Sequence, residues 1–176
     1  MNQIIEKHFL ELLETDSSRN IADIIVSDIG TNPKYFKIVF NYCLTKPYPI
    51  SMRAARAIQL CCEARKSMIK PYLNEIANYA INAKIEGVRR GFLKIISELD
   101  DIINLNDSGI LINKCFEWII SQSENPAIRI YSMEILYNVC KQEPLLKNEL
   151  ASVMELVKDD KSMAVRSRAK RILGSI

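Results

Sequence analysis

His8 is the only histidine in the 176 residues. It adjoins Phe9 and lies near Leu12, with no serine or cysteine in a nucleophile's sequence context, so an imidazole-activated nucleophile is not expected. Its expected role is structural, at or near the surface. The five cysteines, Cys43, Cys61, Cys62, Cys115 and Cys140, are odd in number and lack CxxC spacing. With a single histidine beside them, tetrahedral zinc ligation has no support, and they read as reduced intracellular thiols. Cys61 and Cys62 are neighbours on a helix, where adjacent side chains point about 100° apart, which favours packing over redox chemistry. Asp100-Asp101 and Asp159-Asp160 stand where a helix gives way to a turn, so capping and solubility explain them better than paired-acid catalysis. The sequence contains no glycine-rich phosphate loop, P-loop or GxSxG turn. No catalytic residue, metal ligand, cofactor or small-molecule substrate is assigned, and the chain reads as a non-enzyme.

Charge carries more information. The formal net charge of +3 conceals strong alternation along the chain. Residues 1–32 have two Lys and Arg against six Asp and Glu; residues 33–99 have twelve against four. Residues 100–160 have five against eleven, and residues 161–176 have five against none. Within the basic block, Arg53, Arg56, Arg90 and Lys94 are candidates for one cationic patch, able to attract phosphate or an acidic protein segment. The acidic block that follows argues against a continuous nucleic-acid track.

The elements that would hold these residues show in the periodicity. Ser18–Ile29, Ile50–Cys61, Val88–Leu99, Ile128–Val139 and Val165–Ile176 superpose without gaps. Each carries an apolar or small stripe at i, i+4, i+7, i+8 and i+11, the spacing of one helix face. In the third copy the stripe is Val88, Phe92, Ile95, Ile96 and Leu99. A second helix is expected before each copy, over Asn2–Leu13, Pro33–Leu44, Pro71–Ala83, Asp107–Ser121 and Pro144–Val157. Three of these begin with proline, which the first turn tolerates because its missing amide hydrogen would have had no partner. Breaking and capping residues separate the partners, as in Thr15-Asp16-Ser17-Ser18 and Ser123-Glu124-Asn125-Pro126. The reading is an all-α chain of about five helical hairpins, at approximately 1–30, 31–66, 69–100, 105–141 and 144–176, forming a single domain over 1–176. Trp118 lies in an expected first helix that is apolar nearly all round, so core packing is its expected role.

Asn125-Pro126-Ala127-Ile128-Arg129 and Lys161-Ser162-Met163-Ala164-Val165-Arg166, each running into an apolar helix, resemble the turn and second helix of a HEAT repeat. Arg19, Arg89, Arg129 and Arg166 occupy the family's arginine column; the second copy has Ser51 there, with Arg53 two places later. The resemblance implies a right-handed, armadillo-like α-solenoid whose second helices line the concave face, stabilised by contacts between adjacent repeats. It also implies that the column arginines bridge to turn acceptors, with Asp16, Glu86, Glu124 and Asp160 as partners, and that the four candidate cations lie on the concave side.

Two further expectations concern place and partner. The amino terminus MNQIIEKHFLELLE is interrupted by acids and lacks a signal peptide's apolar region, and no stretch approaches the roughly 18 uninterrupted apolar residues of a membrane span. A cytoplasmic protein without membrane contact is expected. The leading functional reading is a non-catalytic scaffold or adaptor that binds a protein partner. The alternative is a nucleic-acid-binding relative of the HEAT-like alkylpurine DNA glycosylases, using the basic patch. A resemblance to the HEAT-repeat lyases that attach bilin pigments would rest on fold alone.

Overall fold

Alternating apolar stripes at helical spacing cannot be buried by any single hairpin, so the hairpins stack. The computed structural model describes residues 2–176; Met1, where the expected first repeat begins, lies outside the described residues. Among the described residues ten α-helices form, in chain order: α1 Asn2–Thr15, α2 Arg19–Ile29, α3 Pro33–Thr45, α4 Ile50–Ala64, α5 Leu73–Asn82, α6 Glu86–Ile96, α7 Ser108–Ile120, α8 Pro126–Gln142, α9 Lys147–Val157 and α10 Met163–Leu173. The described residues contain no strand. Odd-numbered helices pair with the even-numbered helices that follow them, and α2, α4, α6, α8 and α10 pack in succession as one row.

The stripes are what that row buries. Val88, Phe92, Ile95 and Ile96 of α6 are buried, as are Ile128, Ser132, Ile135, Leu136 and Val139 of α8 and Val165, Ala169 and Ile172 of α10. One apolar cluster runs from Phe9 to Ile172 through all ten helices, without breaking into separate cores. Phe36, Phe40 and Phe92 form an aromatic seam within it; the Phe40 and Phe92 ring centroids lie 5.9 Å apart. Each buried phenyl stabilises the stack by about 2–3 kcal/mol relative to exposure. Trp118 is only 7% exposed, in line with its expected place in the core.

Local chemistry sets the helix boundaries. Ser18, Asn32, Asn125 and Ser162 cap α2, α3, α8 and α10, their side chains accepting from the Ile21, Lys34, Ala127 and Val165 amides. Pro33 and Pro126 occupy the first turns of their helices. Pro71 and Pro144 do not open α5 and α9, as the sequence suggests. They fall in short 3₁₀ segments, Lys66–Tyr72 and Pro144–Leu146, and the α-helices begin just beyond them. The longer segment packs against α4 and α5 and sets Tyr72 4.7 Å from the Phe40 ring. There it fills space between the second and third hairpins.

A concave groove across the second helices

The arginines that tie the hairpins together determine which cations remain available. Arg129, only 3% exposed, donates from Nε to the Ile119 carbonyl at 2.9 Å and from Nη2 to Asp160 Oδ2 at 2.6 Å. The hydrogen bond from Arg129 holds the Asp160 carboxyl below its ordinary range. Arg89 repeats the pattern one hairpin earlier. It donates to the Ala83 carbonyl at 2.7 Å and to Glu124 at 3.3 Å, with its guanidinium 5.4 Å from the Trp118 ring. Arg166 donates to the Asp160 carbonyl, whereas exposed Arg19 reaches only Asp23 on its own helix. Of the acceptors expected for this column, Glu124 and Asp160 take arginines. Glu86 instead accepts from Asn125 at 2.8 Å, and Asp16 accepts from Ser18, whose side chain first and amide second hold the carboxyl below its ordinary range.

The second hairpin solves the same problem differently. Ser51, in the column position, is fully buried and its Oγ has no partner. Arg53, two residues further along α4, reaches back to the first hairpin. It donates to the Leu13 carbonyl at 2.8 Å, the Glu14 carbonyl at 3.2 Å and Ser17 Oγ at 2.9 Å. Arg89 and Arg129 grip the following turn, and Arg53 grips the preceding one.

Between these clamps the second helices line a groove of about 420 Å³. Its floor is apolar, with Ile21, Ala22 and Ile25 from α2, Met52 from α4, and Ala127 and Tyr131 from α8. The α6 contribution is Gly87 and Gly91. A methyl group on Gly91 would sit 3.3 Å from the Ala55 Cβ, and one on Gly87 would sit 2.4 Å from the Met52 Cγ. The two glycines therefore let α6 lie close on α4, with the Met52 side chain packed over Gly87 and Ala55 against Gly91. Asp16, Ser17, Ser18, Arg53, Arg56, Gln59 and Arg90 complete the wall.

Of the four cations expected to form a patch, Arg53, Arg56 and Arg90 line this groove and Lys94 does not. Arg56 and Arg90 are exposed and have no carboxylate within 4.0 Å among the described residues; Arg56 makes only a long contact to Gln59. Lys94 is paired with Glu98 in the turn that follows α6 and lies 5.8 Å from the Tyr131 ring. One hairpin further on, Glu134 faces both Arg168 and Arg171. The sequence reading missed the groove's floor, although a signal was present: two glycines four apart inside an amphipathic helix cost about 1 kcal/mol each unless something must approach closely.

The residues with nucleophilic or basic chemistry are elsewhere. His8 bridges α1 and α2 through Asp28 at 2.8 Å. All five cysteines are free and buried, and burial pushes Cys61 up to about 11 and Cys115 up to about 12. Among the described residues no helix is long and apolar enough to cross a membrane.

A row of stacked helical hairpins joined by arginine clamps, with a groove along one face, defines an α-solenoid. The chain belongs to the HEAT repeat domain family, whose sequence profile matches residues 9–176. Comparison with curated proteins gave no significant match. Comparison with solved structures gave none either. Domains of this family generally serve as protein-interaction scaffolds.

Proposed function

We propose that residues 1–176 act as one non-catalytic protein-binding module, holding a partner in the groove across α2, α4, α6 and α8. The observation that carries this reading is the pairing of an apolar floor with two exposed arginines, Arg56 and Arg90, whose charge no carboxylate of the described chain neutralises. Protein partners bury apolar anchors inside a polar rim, and the groove offers both. Catalysis has less support: His8 is held by Asp28 away from the groove, and the thiols are buried with raised titration ranges. The buried free thiols fit a reducing compartment, and we place the protein in the cytoplasm on that basis.

Nucleic acid is the competing partner. Acids that interrupt the cations weigh against it, because Glu98 engages Lys94 and Glu134 engages the arginines of α10. The deciding experiment compares capture of proteins from native extract by the wild-type chain and by the Arg56→Glu/Arg90→Glu variant, alongside titration of duplex DNA over a salt series. A protein retained by wild type and lost from the variant supports the module. DNA binding that falls steeply with salt and disappears in the variant would replace it with the nucleic-acid reading.

A further inference from the structure

The floor and rim of the groove carry different chemistry, and together they narrow the occupant beyond "a protein". The apolar floor, where Met52 packs over Gly87, is bounded by Ile21 and Ile25 on the α2 side and by Tyr131 on the α8 side. It is an apolar seat. Around it stand three arginines against one carboxylate, Asp16, which is already engaged by the Ser18 amide. Arg53 is committed to the turn of the first hairpin, so Arg56 and Arg90 are the cations free to meet a ligand.

A phosphodiester backbone uses cations spaced along its whole path and gains little from an apolar floor. Within the groove lining the unengaged cations are Arg56 of α4 and Arg90 of α6, beside the apolar floor. Carboxylates suit this arrangement better, because guanidinium forks bind them in planar, bidentate geometry while a neighbouring aliphatic side chain lies on the apolar floor.

We infer that the groove binds an acidic protein segment, which seats one aliphatic or aromatic side chain on the floor formed by Ile21, Ile25, Met52 and Tyr131 and sets flanking aspartate or glutamate carboxylates against Arg56 and Arg90. This rests on the protein-binding reading above and adds the chemistry of the partner. Specificity follows from the division of labour: the seat selects for an apolar residue, and the arginines reject basic flanks by like-charge repulsion.

The test is selection of phage-displayed random peptides on the full chain, with counter-selection on the Arg56→Glu/Arg90→Glu variant. Both positions are exposed, so circular dichroism and melting curves of the variant should match wild type. The expected winners carry Asp or Glu on both sides of Leu, Ile, Met or Phe. A synthetic winner should lose about tenfold or more in affinity against the double variant, a loss characteristic of charge pairs at an interface. It should also weaken against Ile21→Gln, which roughens the seat, and bind Lys34→Glu, outside the groove, like wild type. Winners that are neutral or basic yet depend on Arg56 and Arg90 would overturn the acidic assignment and leave the protein-binding module standing. Failure to enrich any peptide would overturn the inference. If duplex DNA then bound in a manner lost from the double variant, the module reading would fall with it.

Discussion

Arg129 of α8 holds Asp160 through a 2.6 Å hydrogen bond from Nη2, with both side chains nearly excluded from solvent at 4% and 9% exposure. The same guanidinium caps the end of α7 through the Ile119 carbonyl, so one side chain joins the fourth hairpin internally and ties it to the turn of the fifth. Arg129→Ala removes both bonds and leaves the Asp160 charge in a half-buried turn. It should cost about 2–3 kcal/mol, read as a shift in the midpoint of urea unfolding with helicity retained at low denaturant.

The same pair predicts an acid dependence. Because Asp160 titrates below its ordinary value in the folded chain, its contribution is fully present above the unfolded carboxylate value of about 3.9. That contribution is lost as pH falls through the depressed folded value. Asp160→Asn should therefore be less stable than wild type at neutral pH, and the gap should close below about pH 4. Unfolding curves across pH check this; a gap that stayed constant would show that the carboxylate charge is not what matters.

Lys94 and Arg90 lie on the same helix and should respond differently to charge reversal. Lys94→Glu places a carboxylate four residues from Glu98, in the turn that follows α6, and costs about 0.5 kcal/mol through like-charge repulsion. It should reduce binding of an acidic peptide only modestly, because Lys94 does not line the groove. Arg90→Glu should leave stability within about 0.5 kcal/mol and weaken binding strongly. Equal binding losses from the two variants would move the site along α6.

The glycines separate stability from groove shape. Gly87→Ala presses on the flexible Met52 side chain and gains about 1 kcal/mol of helix propensity, so stability should change little while the displaced Met52 narrows the groove. Gly91→Val meets Ala55, which belongs to the α4 backbone and cannot swing aside. Forcing α4 and α6 apart should cost about 1–3 kcal/mol. Thermal melts together with peptide affinity distinguish the two cases.

Truncation after Asp160 removes α10 and uncovers the apolar stripe of α8. Val165, Ala169 and Ile172 are buried within the common cluster, and Glu134 would lose both arginine partners. Neighbour contacts carry the stability of a stacked array, so the shortened chain should melt lower and bind hydrophobic dye. A monomeric truncation with an unchanged melting curve would contradict the stacking order.

Helix positions were legible in the sequence because a 3.6-residue stripe is a local, repeated pattern. Val88, Phe92, Ile95 and Ile96 announce a buried face without reference to any other helix. The caps at Ser18, Asn125 and Ser162 were legible for the same reason, since each acts within three residues of itself. Pro71 and Pro144 mark the limit of that logic: proline suits the first turn of either helix type, and tertiary packing made both segments 3₁₀. The candidate cations were visible by type, but their availability depends on partners distant in the chain. Arg53 is taken by carbonyls about 40 residues before it, at Leu13 and Glu14. Lys94 is paired with Glu98 in the turn just after α6, and only Arg56 and Arg90 are left with neither a carboxylate nor a clamp to a neighbouring hairpin. The apolar seat between them belongs to no single segment. It exists because Gly87 and Gly91 bring α6 down onto α4 while α2 and α8 stand on either side, a relation between four helices that no local pattern encodes.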